Sequence, residues 1–333
     1  MKKNCAFLFF ILSCSCSLAQ QNIPDKQNKT VWEKGCRFSL VVGQAGSKNW
    51  ASGSDVFSIS ANSFLNAYAN AQKGKWYFNN SLIASYGFVN SDEYATIKND
   101  DKIDFFSSAG VYLKTKPVLG IGSAFNFRSQ FSNGYDRDYL NQDLKRRTSG
   151  FFAPAYITIA PIGLEYHKNN IDVCATLVGF RGVFISNAPY SYLFQGGIIP
   201  NSMINEKNPG TKERSLAEMY GVDPVKTIQL QAGPYISVGY NKGIYKHVTY
   251  SGRLDLFSDF THNKPGNVDI FWTNTFYLKV NNWLSCVYSL DVAYDDDIKK
   301  FGYFKDRPAL QSKSILGIGV SATFGKKGDK MHN

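Results

Sequence analysis

The sequence predicts an all-β fold, an antiparallel up-and-down transmembrane β-barrel of about twelve strands, on three observations. Apolar and polar residues alternate with period two along most of the chain, as a strand between two unlike environments requires. Many alternating runs exceed the 5–6 residues common in soluble domains and suit the roughly 9–11 residues of a tilted transmembrane strand. The connections switch between short and long, as the two ends of an outer-membrane barrel do. Composition agrees. Of 333 residues, 25 are Phe and 20 are Tyr, and only 19% are charged, below the usual share of about 25%. The 44% apolar content excludes a disordered chain. Alanine- and leucine-rich helical runs are scarce, which counts against a helical bundle and an α/β enzyme.

Met1-Lys2-Lys3, the apolar run Ala6 to Leu12 and the small-x-small site Ser17-Leu18-Ala19 form a secretory signal peptide over residues 1–19. Its apolar run is too short to span a bilayer. Cys14, after Leu12-Ser13, offers a lipoprotein alternative, but only half of the small residues expected before a lipidated cysteine are there. Residues 20–34 read as a polar, flexible periplasmic segment, 35–325 as the barrel, and 326–333 as a short tail. Cleavage after Ala19 leaves Cys36, Cys174 and Cys286, an odd and widely spaced set. That is neither a disulfide framework nor a zinc site, and each cysteine suits a small apolar slot. The net charge of +11 becomes +9 once Lys2 and Lys3 leave. The basic residues are scattered through turns and loops without a dense stripe, so no nucleic-acid partner is expected.

Strands are expected at about 36–45, 57–71, 75–89, 101–115, 118–131, 151–166, 170–185, 227–240, 244–260, 268–280, 283–294 and 311–324. The clearest is 283–294. Leu284, Cys286, Tyr288, Leu290, Val292 and Tyr294 share one face, while Ser285, Val287, Ser289, Asp291 and Ala293 share the other. The run 151–166 alternates poorly and holds Pro154 and Pro161. Short turns fall near Lys73-Gly74, Thr115-Lys116-Pro117, Lys168-Asn169-Asn170, Asn241-Lys242-Gly243 and Asn281-Asn282. An even strand number puts both termini on one side, the periplasm. Trp76, Tyr77, Phe78, Tyr245 and Trp283 follow short turns, Tyr240 and Phe324 precede that interface, and Tyr86, Phe88 and Tyr294 sit toward the other end, as aromatic girdles would. Gly120, Gly122, Gly317 and Gly319 lie within strands, where they allow close packing or bending.

Several segments carry a resemblance. These are Trp32-Glu33-Lys34-Gly35, QAGSKNWASG at 44–53, KGKW at 73–76, Tyr220-Gly221-Val222, LFSDF at 256–260, NVDIFW at 267–272 and YDDDI at 294–298. Their order and spacing, from about 31 to 324, resemble an uncharacterised family of Bacteroidota outer-membrane proteins, domain of unknown function 3078. The resemblance implies an outer-membrane location and a barrel-like fold. It implies no activity.

The residues offer little catalytic chemistry. The four histidines are His167, His247, His262 and His332, and no Walker loop, dinucleotide glycine fingerprint or HExxH motif is present. His247, read as an inward residue near a strand start, could face Ser237 in a barrel hydrolase, the weakest of the functional readings. No enzyme is expected. The main expectation is a narrow channel or transporter for small polar solutes, its path lined by Gln229, Gln231, Arg253, Asp255, Lys279 and Asp291. The same mixed charges could equally plug the lumen of a structural or surface-binding barrel with long external loops. A soluble secreted glycan-binding β-protein is a further alternative. Loop 186–225, with Pro189, Pro200, Pro209 and Pro224, could fold inward as a constriction or rise outside as a binding surface. With hairpin turns centred near 264 and 281, Asp259, Asp269 and Asp295 gather at the outer mouth, beside Asp296 and Asp297. Crowded carboxylates need a cation or an arginine, so a Ca²⁺ site there is the one metal expectation. The partners expected are outer-membrane lipid and a small polar solute.

Overall fold

The computed structural model describes residues 29–47, 56–91, 96–113, 116–136, 144–185, 192–194, 216–223, 226–261, 266–298 and 308–326. The signal peptide, most of the N-terminal polar segment, nearly all of the tail, His262 and His332 lie outside them. The barrel strands are β1 (Val31–Ser47), β2 (Val56–Lys73), β3 (Trp76–Ser91), β4 (Ile97–Leu113), β5 (Lys116–Ser129), β8 (Ala155–Lys168), β9 (Ile171–Phe184), β11 (Ile228–Tyr245), β12 (Val248–Phe257), β13 (Asp269–Lys279), β14 (Leu284–Tyr294) and β15 (Gln311–Lys326). Each pairs with the next barrel strand in the chain, and β1 pairs with β15, so these twelve strands close an antiparallel barrel. Closure satisfies every strand edge, which is how strands persist in a medium that offers no hydrogen bonds. Three short strands, β6 (Gly134–Asp136), β7 (Leu144–Ser149) and β10 (Tyr192–Phe194), form a separate small sheet. One helical turn, α1 (Leu216–Met219), precedes β11.

All twelve expected strands are present, with ends that differ from the expected ones by up to five residues in either direction. The first and last strands bring residues 31 and 326 to the end where the short turns lie. The outward face is the apolar one: Leu316, Leu230 and Leu177 expose 65%, 66% and 85% of their surface. Trp32, Trp76, Phe78, Tyr245, Trp283 and Phe324 form an exposed aromatic ring at the short-turn end, and Phe57, Tyr86, Phe88 and Trp272 are exposed toward the other. Such a surface fits hydrocarbon bounded by two headgroup levels. Tyr77 departs from the girdle expectation. It sits between the outward Trp76 and Phe78, so the strand's period turns it inward, where it is buried.

The poor alternation near Pro161 has a structural cause. In β8, Pro161 and Ile162 are both exposed in succession, and in β9 so are Leu177 and Val178. Each is an extra residue that flips the strand's parity. The ladder between these two strands runs to Ile159↔Phe180 and resumes at Leu164↔Ala175. In the interval, Thr176 donates its hydroxyl to the Ile162 carbonyl (2.7 Å), and Ser123 donates to the Pro161 carbonyl (2.6 Å). The inward face is resumed beyond each bulge, with Glu165 in β8 and Arg181 in β9 both buried.

Candidate functional site

The inward face divides the lumen into two zones. Toward the long-loop end, ion pairs tie adjacent strands and also strands that are not neighbours. Arg128 of β5 donates to Asp104 of β4 (2.8 Å) and to Asp255 of β12 (2.6 Å). Asp255 also accepts from the Tyr235 hydroxyl (2.9 Å). Lys102 of β4 pairs with Asp291 of β14 (2.8 Å), and Lys313 of β15 with both Asp291 (3.1 Å) and Asp100. Each of these carboxylates has a cationic partner, the condition under which buried charge is tolerated.

The long-loop mouth itself is capped. Leu216, Ala217, Met219, Tyr220 and Val222 pack on the inward-facing Tyr156 and Val183 and on Ala153, Ile185 and Ile298. The Tyr220 hydroxyl donates to the Thr148 carbonyl (2.7 Å), and Tyr220 bridges Ile298 through its backbone. Residues 216–222 of the long loop therefore pack into the mouth, while Tyr192–Phe194 pairs with β7 in the small sheet.

Beneath this cap lies the acidic group. Carboxylate oxygens of Asp269, Asp295 and Asp296 come within 4.8 Å of one another. Ile270↔Tyr294 pairing places Asp269 beside Asp295, as the hairpin arithmetic predicts. Asp259 lies outside the group. Phe257, not Asp259, pairs with Asp269, because the β12–β13 register sits two residues from the expected one. Asp259 instead accepts from the Thr261 amide and hydroxyl (2.8 and 2.6 Å). The positive charge facing these carboxylates is a side chain: Arg181 pairs with Asp269 and donates to Gln231 (2.6 Å). Burial, with the Asp269 carboxylate adding to it, pushes the Asp295 carboxyl up to about 7.

Toward the short-turn end the lumen opens into a cavity of about 780 Å³. Its wall is amide- and hydroxyl-rich, with Asn66, Asn70, Asn79, Asn80, Ser81 and Ser251 among the lining residues. Arg37 and Arg253 face it as well. Asn66 of β2 donates to Ser251 of β12 across the lumen (2.5 Å), and Arg253 donates to Ser81 of β3 while its guanidinium lies 4.0 Å from the Phe106 ring centre. One side of the cavity holds His167, whose Nδ1 contacts Asp172 (2.7 Å) and Nε2 contacts Glu165 (3.0 Å). Only the doubly protonated imidazolium supplies a donor to each. The Tyr77 ring stands edge-on to it, with centres 4.8 Å apart. Tyr77 fits because Gly110, Gly120 and Gly122 of the adjoining strands lack side chains, and a Cβ at any of them would collide with the ring or its hydroxyl.

Of the residues expected to line the path, Gln231, Arg253, Asp255 and Asp291 point inward and join these networks. Gln229 lies half-buried on the same face, opposite Val183. Lys279 is exposed at the short-turn end, opposite Ser285. His247 is exposed in the β11–β12 turn, and Ser237 is buried opposite Asp255, so the two do not meet. Sequence reading overlooked Arg37, Arg128, Arg181 and Lys102, and it placed Tyr77 in the girdle rather than in the lumen. For Arg37 and Arg181 the signal was there, since the exposed Phe38 and Phe180 stand beside them with the opposite parity.

Residues 42–135 match the profile of a family described as "Protein of unknown function (DUF3078)". The match covers the segments at 44–53 and 73–76 and leaves those at 32–35, 220–222 and 256–298 outside it. No curated protein matches the chain. Among solved structures, the chain is similar to an outer-membrane channel from Pseudomonas putida F1, with 8% identity and a TM-score of 0.34, over 91% of this chain and all of that one. It is also similar to the translocator domain of the autotransporter NalP from Neisseria meningitidis, with 8% identity and a TM-score of 0.31, over 90% and 89% of the two chains. The toluene transporter TodX of P. putida aligns over 91% of both chains with 11% identity and a TM-score of 0.25.

Proposed function

We propose that this chain is an outer-membrane barrel, with both termini in the periplasm, that admits small polar solutes to a periplasm-facing vestibule and conducts them when the ion-paired layer above it rearranges. The observation that carries this reading is the polar cavity of about 780 Å³ at the short-turn end, a volume that suits a small solute. What obstructs the path beyond it includes side chains rather than strands: Arg128 with Asp104 and Asp255, and Lys102 and Lys313 with Asp291. Side chains can change rotamer without breaking the barrel.

Conductance across planar lipid bilayers tests the reading. The wild type is expected to give small, brief openings, and Arg128→Ala to lengthen or enlarge them. Silence from both proteins, with heat-modifiable gel migration showing folded barrels, would overturn it. That result would favour a second reading, a closed barrel that presents its loops, which draws its support from the packing of Leu216 to Val222 into the mouth. Extraction that depends on detergent is the matching test of the membrane location.

A further inference from the structure

The inward arginines are not alike. Arg128 and Arg181 are paired with carboxylates. Arg37 and Arg253 are not: among the described residues no carboxylate lies within ion-pair distance of either. Arg37 donates to the Thr323 and Thr249 hydroxyls at 3.3 and 3.4 Å and stacks on the Tyr277 ring. Arg253 donates through Nη2 to the Ser81 hydroxyl and lies over Phe106. It is only 9% exposed, and its Nη1 is buried with no hydrogen-bond partner. Leaving a guanidinium donor unsatisfied inside a protein is costly. Both arginines line the same cavity, and Arg253 also lines the small recess that continues it past Ser108 toward Cys174.

The acids near the cavity do not answer this charge. Glu165 and Asp172 are both engaged by His167. Asp255 and Asp104 are ion-paired with Arg128, and Asp104 lies close enough to Arg253 to feel its charge without pairing with it. Glu33 lies near the cavity entrance, on the strand that carries Arg37. Besides the exposed Lys34 and Lys242, the lining includes neutral donors and acceptors, the amides of Asn66 and Asn79 and the hydroxyls of Ser81 and Ser251. A guanidinium fork selects planar or tetrahedral oxyanions, and amides and hydroxyls select hydroxyl groups.

Resting on the vestibule reading above, we propose that the cavity is a binding site for a small hydroxylated organic anion, its carboxylate or phosphate held by Arg253 and Arg37 and its hydroxyls by the surrounding amides. Nη1 of Arg253 supplies the donor that the protein itself leaves unused.

Titration calorimetry of the folded barrel in detergent, with glucuronate, glucose 6-phosphate and glucose as probes, tests this. Glucuronate or glucose 6-phosphate is expected to bind at least about tenfold more tightly than glucose, the loss of one charge-assisted bond being worth about that factor. Which of the two binds better distinguishes carboxylate from phosphate. Arg253→Gln should erase the preference and Arg37→Gln should reduce it, with Lys34→Gln, at the cavity's outer lip, leaving it intact. Equal binding of all three sugars, or a preference that survives both arginine variants, overturns the proposal. Should Arg253→Gln fail to fold, Arg253→Lys, which keeps the charge but loses the fork, must weaken binding, and unchanged binding counts against the site. A barrel that binds glucuronate but stays silent in bilayers would uphold the site and refute the channel, so the two claims fail separately.

Discussion

Arg128 and Arg253 come from the same kind of position, an inward residue of a barrel strand, and are used in opposite ways. Arg128 touches two carboxylates on two other strands. Arg253, two residues before Asp255, lines the cavity and has one serine partner, an aromatic ring beneath it and a buried nitrogen without a partner. The difference is one of surroundings. Toward the long-loop end the inward residues are long, charged and complementary, so they close on one another and a loop closes over them. Toward the short-turn end many are asparagines, serines and glycines, which bridge the lumen only locally, as Asn66 does to Ser251, and space is left. Ion pairing holds the first zone together, and the second is free to bind.

The sharpest way to break that comparison is to delete one arginine from the closed zone. Arg128→Ala strands the buried Asp104 and Asp255 and is expected to cost about 3–5 kcal/mol, read as the midpoint of urea unfolding of the refolded barrel. The matching change in the open zone, Asn79→Ala, should cost about 0.5 kcal/mol or less, as a substitution at a wet wall does. Equal costs would mean that the two zones are not different in kind.

A smaller effect comes from pH. The Asp295 carboxyl, raised to about 7 in the folded protein, titrates near 4 in a flexible chain. A group of this sort adds stability that is complete below about pH 4 and is lost as pH climbs through about 7. The unfolding midpoint should therefore fall between about pH 5 and 8, and Asp295→Asn should flatten that fall. An identical slope in the variant would show that the charge at the mouth resides elsewhere.

Smaller still is a polar contact on the outward face. Asn274 has the parity of lipid-facing residues, yet it is buried under Tyr250, whose hydroxyl donates to it (2.5 Å) across the gap left by Gly252. Tyr250→Phe should cost about 1 kcal/mol, and no measurable change in unfolding midpoint would mean that lipid or detergent already satisfies the amide.

The strands and their inward and outward faces were legible because period two is a local property, and the exposed Leu316 and Leu230 follow it. It misled where a bulge inserts one residue, at Pro161-Ile162 and Leu177-Val178, and where a single odd residue such as Tyr77 stands between two girdle aromatics. Hairpin register was legible when the connection was short: four residues, 280–283, join β13 to β14 and bring Asp269 beside Asp295. It slipped by two for Asp259, whose loop is longer. The partners across the lumen were not legible at all. Arg128 and Asp255 lie 127 residues apart, and only closure of the ring brings them together. Unpaired arginines were hidden for the same reason, since a missing partner can be seen only once every neighbour is placed.

The claim that the lumen opens at the short-turn end and is closed toward the loops is tested most directly by labelling. In a barrel whose own cysteines are replaced, reconstituted in liposomes of known orientation, Ser81→Cys would be exposed to a membrane-impermeant maleimide added to one side at a time. The account predicts reaction from the short-turn side and protection from the loop side. Equal reaction from both sides, or reaction from the loop side alone, would contradict it.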